Sequence, residues 1–191
     1  ANYNNVAVSA GTWNIDTQTT TPDTGTLGSF TDGSYEITAT VTDAAGNTAN
    51  DLSSNELTID TTPPTAPSAP DMTDAADTGS STIDNVTKDT TPEFSGSCTN
   101  GESIALYVDA ANTGSTSICS GTSFTLSTPS ALSEGSHLVT VTTTDLAGNE
   151  SAQSGSVSIT LDTTSPTAPA APNLITASDT GLSNSDNITS E

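Results

Sequence analysis

Nearly every side chain in this 191-residue sequence that could do chemistry is a carboxylate. Asp and Glu number 23 against one Lys and one His, giving a formal net charge of −22. Several aspartates recur at fixed spacing. Asp43 stands four residues before Asn47, as Asp145 stands before Asn149. Asp60 and Asp162 each open an Asp-Thr-Thr segment. Asp77 and Asp84 bracket a loop containing Gly79, and Asp179 and Asp186 bracket one containing Gly181. Loop carboxylates and carbonyls are ligands for a hard cation, and calcium takes six to eight such oxygens. Neither cluster has the spacing of an EF-hand loop. The competing reading is that these residues cap turns, because Asp and Asn side chains accept backbone N–H bonds there. Repetition in register, in a chain whose single cation is Lys88, favours calcium.

Other chemistries find little support. One histidine and two cysteines do not make a zinc site. His137 stands at the start of a strand, where the other copy of the repeat has Tyr35, and reads as a surface or edge residue. No Gly-x-Ser-x-Gly elbow accompanies it. Acid–base catalysis needs a pocket that separates carboxylate pKa values, and a thin repeated sandwich offers none; no enzymatic activity is expected. A single cation cannot neutralise nucleic-acid phosphates or an anionic membrane surface. No apolar run reaches the ~18 residues that would cross a bilayer. Cys98 and Cys119, 21 positions apart and without a Cys-x-x-Cys motif, read as a disulfide in an oxidising setting.

Whether such a chain folds at all is the next question. Leu, Ile, Val and Phe together are 31 of 191 residues, while Ser and Thr fill roughly a third. That composition with this charge is typical of disorder. An internal repeat argues otherwise. Gly33-Ser34 returns as Gly135-Ser136, and about half of 57 aligned positions match without a gap. Disordered sequence does not hold register in this way.

Within the unit the apolar pattern has period two. Tyr35, Ile37, Ala39 and Val41 alternate with polar residues and predict a half-buried strand. Ile104, Leu106 and Val108 predict another, as do Phe124 with Leu126, and Val157, Ile159 and Leu161; Phe94 after Pro92 marks a further one. Short strands separated by turn signals in about 100 residues predict an all-β fold of tandem immunoglobulin-like antiparallel sandwiches. Residues 65–165 hold a complete unit. Residues 1–64 hold the C-terminal part of one, in which Trp13 takes the place of Phe124, and residues 166–191 hold the start of a third. The expectation is a stretch of a longer tandem array; subunits completing one another's sandwiches by strand exchange are the alternative.

This topology positions the carboxylates. The last two strands of such a unit are antiparallel, so their connecting loop, with Asp145 and Asn149, lies beside the incoming linker that starts at Asp60. An ion shared by Asp60, Asp145 and carbonyls around Pro63 is expected there. Asp43 faces the preceding junction and Asp162 the next. Pro63, Pro64, Pro67 and Pro70 stiffen the linker, and Pro166, Pro169 and Pro172 repeat the device.

Three motifs occur twice in the same order: a Thr-rich strand ending in Asp-x-Ala-Gly-Asn, the linker Asp-Thr-Thr-x-Pro-Thr-Ala-Pro, and the loop Asp-Thr-Gly…Asp-Asn-x-Thr. Together they resemble the tandem bacterial Ig-like repeats of giant type I-secreted adhesins, including RTX adhesins, biofilm-associated proteins and ice-binding adhesins. The resemblance implies an extracellular stalk on a bacterial surface, with neighbouring repeats as partners and calcium stiffening the junctions. Cys98 and Cys119 depart from the common pattern, and the Gly-Gly-x-Gly-x-Asp nonapeptide is absent. A glycan- or protein-binding module is the alternative function.

Overall fold

The computed structural model describes residues 30–183 and 185–189, all without helix. The first four strands belong to the leading unit: β1 (Gly33–Tyr35), β2 (Thr40–Thr42), β3 (Thr48–Asn50) and β4 (Leu57–Ile59). The middle unit holds β5 (Asp71–Met72), β6 (Val86–Thr87), β7 (Glu93–Ser97), β8 (Ser103–Val108), β9 (Ala111–Ile118), β10 (Ser123–Ser127), β11 (Gly135–Thr144) and β12 (Val157–Leu161).

Two sheets form the middle unit, ordered β10-β7-β5 and β6-β12-β11-β8-β9. Pairing is antiparallel except that β6 runs parallel to β12, with Val86 opposite Thr160. Alternation places Ile104, Leu106 and Val108 of β8, Val139 and Val141 of β11, and Ile159 of β12 on the inner face of the larger sheet. Facing them are Met72, Phe94, Phe124 and Leu126 from the smaller sheet. Burying each large side chain contributes roughly 1.5–3 kcal/mol, which is how a sequence so poor in such residues still folds. Gly96 lies opposite Phe124 in the β7–β10 ladder. A Cβ there would sit 2.6 Å from the Phe124 ring, so the position needs a residue with no side chain.

Threonine and serine complete the interior. Thr87, Thr142 and Thr143 are buried. β12 pairs with β11 only as far as Val139. Beyond that point the Ser154 and Ser151 hydroxyls accept the N–H groups of Val141 and Thr143. The Val141 and Thr143 N–H groups on that edge of β11 therefore keep partners where the β12 ladder has ended. The Sγ atoms of Cys98 and Cys119 are bonded, joining the end of β7 to the end of β9 and thus one sheet to the other.

The leading unit differs from its expected form. The alternation from Tyr35 to Val41 predicts one half-buried strand, but the segment splits into β1 and β2, and Val41 is 67% exposed. The physical reason is local. Carboxylates of Glu56 and Asp51 accept the Ile37 and Ala39 N–H groups in place of a strand ladder. No described residue covers the apolar side as β7 and β10 do in the middle unit. Trp13 lies outside the described residues. The segment from 166 onward contains turns and no strand among its described residues.

Candidate functional site at the unit junctions

Asp145 organises the β11–β12 loop. Its Oδ1 accepts the N–H groups of Ala147 and Asn149, both at 2.9 Å, and its Oδ2 accepts the Asn149 side-chain amide at 3.0 Å. Gly148 supplies the positive φ (94°) that closes the turn. The same loop recurs in the leading unit. Asp43 accepts from Ala45 N, Asn47 N and Asn47 Nδ2. In both copies the Asn amide is the main influence holding the carboxyl below the ordinary Asp range, with the loop N–H groups adding to it.

This loop meets the linker where the topology predicts. Asn149 Nδ2 donates to the carbonyl oxygen of Asp60 at 3.0 Å, 89 residues away in sequence. The Asp60 carboxylate itself accepts Thr62 N at 3.1 Å, and Asp162 accepts Thr164 N at 2.9 Å. The first residues of the linker are gripped from the other side too. Asp32 Oδ1 accepts Thr61 N and the Thr61 hydroxyl, and Asp32 Oδ2 accepts the Thr62 hydroxyl. Those hydroxyls hold the Asp32 carboxyl below its usual value. At the next junction Glu134 takes the same place and accepts from Thr163 N and Oγ1. Residues 60–62 are therefore held by Asp32 on one side and, through the Asp60 carbonyl, by Asn149 on the other. Asp32 and Glu134 escape the sequence reading because their types differ. Their shared position, one residue before Gly33 and Gly135, is the signal that identifies them.

An open cleft of about 270 Å³ separates linker residues Thr65–Ser68 from Cys98, Glu102 and Thr143. The Thr143 hydroxyl donates to Glu102 within it.

The second predicted cluster forms a turn. Asp77 is 2% exposed; its Oδ2 accepts Asn85 N, while Asp84 Oδ1 accepts Val86 N. Asp179 and Asp186 repeat this with Asn187 N and Ile188 N. The Asp77 and Asp179 Oδ1 atoms are buried without a hydrogen-bond partner. Among the described residues the one group of three whose ligand atoms lie within 4.8 Å of one another is elsewhere, at Glu36, Asp51 and Glu56. The sequence reading missed that group, which lies in one unit and lacks the register that marked the others. Each of its members already accepts a backbone N–H, from Asn55, Ala39 and Ile37 respectively.

His137 is not the surface or edge residue expected from sequence. It is 8% exposed, because β11 turns it inward alongside Val139 and Val141. Its Nδ1 is 2.7 Å from Asp109 Oδ2 and its Nε2 is 2.9 Å from the Ser133 carbonyl oxygen. Those two contacts, the Ser133 carbonyl first, raise its pKa above the ordinary value.

Two facing sheets, a parallel pairing of β6 with the last strand β12 and a cross-sheet disulfide define the middle unit. Residues 63–163 match the family model of the bacterial Ig-like domain. The chain belongs to the bacterial Ig-like domain family. The match spans more than half of the chain and takes in β5 to β12. A search of curated proteins finds no match. Membership is consistent with a structural or adhesive module at a cell surface, and an Ig-like sandwich is a scaffold class rather than a catalytic one. No helix among the described residues is long and apolar enough to cross a membrane.

Proposed function

We propose that this chain is part of the stalk of a bacterial surface adhesin or extracellular filament, an extender built from Ig-like units and stiffened at its junctions. The observation that carries the reading is the double clasp. Linker residues 60–62 are tied to Asp32 of one unit and, through the Asp60 carbonyl, to Asn149 of the next. Proline-rich sequence immediately after the clasp restricts φ further. A joint held from both sides transmits force and orientation, which a stalk requires and a flexible tether does not. The cross-sheet disulfide suits an oxidising extracellular setting.

Calcium is the ion proposed for the junction. The donor chemistry fits, because Asp60, Asp145, Asn149 and neighbouring carbonyls are all hard oxygens. Asp43 is the corresponding ligand for the preceding junction and Asp162 for the following one. The loop pairs Asp77 with Asp84 and Asp179 with Asp186 are proposed as local sites on the buried, unpartnered Oδ1 of each first member. Bound calcium would supply positive charge to a chain of net charge −22, and the clasp residues would orient the linker carbonyls towards it.

The test is thermal melting of the chain in calcium and in EGTA, with Asp60→Asn and Asp145→Asn compared with the native sequence. The reading expects calcium to raise Tm, and the two substitutions to shrink that rise. Identical melting curves in calcium and EGTA would refute the calcium part of the proposal.

A further inference from the structure

In the leading unit a tyrosine closes the corner before the strand. The Tyr35 hydroxyl donates to the Thr31 carbonyl at 2.7 Å and accepts Thr31 N at 3.0 Å. Its pattern is that of the tyrosine corner of Ig-like sandwiches, a hydroxyl bonded to backbone a few residues upstream. The middle unit puts His137 at the matching position and Ser133 at the place of Thr31. The bond to the residue four before it is kept, now from Nε2 to the Ser133 carbonyl. A second bond is added, from Nδ1 to Asp109 on the β8–β9 turn.

Both ring nitrogens thus face acceptors, one a carboxylate and the other a carbonyl. A neutral imidazole carries one N–H and one lone pair, so it satisfies one of the two; the imidazolium satisfies both. A tyrosine hydroxyl has no such dependence below about pH 10. Asp109 is the charged group facing the ring among the described residues. The residue opposite His137 on β12 is Ile159, and Glu134 in the same loop is turned to Thr163. Asp109 is itself held by Leu138, whose N–H donates to its Oδ1, and it adopts a left-handed backbone (φ 51°) with Ala110 (φ 65°) at the hairpin tip.

We propose that His137 is a proton-dependent corner. When protonated, it bolts the 133–137 loop to the β8–β9 turn and keeps Glu134 in place on the outgoing linker at Thr163; when deprotonated, it gives up one of the two ties and loosens that clasp. The middle unit is then pH-responsive at its outgoing junction, while the leading unit, with Tyr35, is not. The sign follows from linkage. A group whose pKa is raised by folding stabilises the folded state fully below its unfolded value, near 6.5 for His, and that stabilisation is lost as pH rises through the folded value. Each unit of separation corresponds to about tenfold in the folding equilibrium.

The chain has one histidine, so a proton NMR titration reads His137 directly. The experiment follows that resonance and the hydrogen-exchange protection of the Thr163 amide, corrected for intrinsic exchange, from pH 5.5 to 9 in the full chain. The native protein is expected to titrate above about 6.5 and to lose Thr163 protection across the same interval. His137→Tyr is expected to keep the protection constant, as a tyrosine corner would. Asp109→Asn is expected to lower the His137 titration point and serves if the tyrosine variant does not fold. Titration at or below about 6.5, or Thr163 protection that does not change with pH in the native chain, would overturn the proposal.

Discussion

Reduction of the Cys98–Cys119 bridge is the perturbation whose size the structure sets most directly. The bond spans a sequence separation of 21 and joins the ends of two strands that lie in different sheets. In the chain-entropy account the stabilisation is the loop-closure entropy removed from the unfolded state, which for a loop of this length is about 3.3 kcal/mol at 25 °C. The folded state should change little on reduction. Cys119 is 2% exposed, with its sulfur 3.9 Å from the Gly121 and Ser123 carbonyls, and it can stay there as a thiol. For a unit of this size the loss corresponds to a fall in Tm of roughly 13–26 °C. Urea unfolding followed by circular dichroism, with and without reductant, gives both midpoint and slope. A cross-link that restricts the unfolded chain should also lower the slope, because less surface is exposed on unfolding. A reduced protein within about 1 kcal/mol of the oxidised one would refute the argument.

Phe94→Ala removes a fully buried ring between Met72 and Leu126 and should destabilise the middle unit by about 3–5 kcal/mol, measured by urea unfolding. Gly96→Ala should cost about 1–3 kcal/mol by the same assay, because the added Cβ meets the Phe124 ring. The Asp145 carboxyl is held below its ordinary value by Asn149, so its contribution is present above about pH 3.9 and disappears as pH falls through the folded value. Carboxyl NMR titration should place Asp145 below about 3.9, and Asn149→Ala should move it upward; no response to that substitution would contradict the loop geometry.

Much of this architecture could be read in the sequence because a strict repeat and period-two alternation are one-dimensional signals. The strands carrying Ile104, Leu106, Phe124 and Ile159 were visible on that basis, as was the approach of the Asn149 loop to Asp60. What escaped depended on partners far away in the chain. His137 looked exposed because nothing local shows that Asp109, 28 residues upstream, turns back to meet it. Tyr35 to Val41 looked half-buried because alternation reports the side a strand would bury, not whether another sheet is there to bury it. Asp32 and Glu134 were hidden by a change of residue type at one position that performs one task. The recurring aspartates were legible as recurring. Their partners are turn N–H groups, which is the capping role, while Asp77 and Asp179 each keep one buried Oδ1 without a hydrogen-bond partner.

The proposed stalk requires junctions that are stiff and that calcium makes stiffer. Small-angle scattering of the chain in calcium and in EGTA measures that directly. A calcium-stiffened stalk gives an elongated particle with calcium, and a shorter maximum dimension with a broader distribution of shapes after EGTA. Superimposable curves, or a compact particle in calcium, would contradict it.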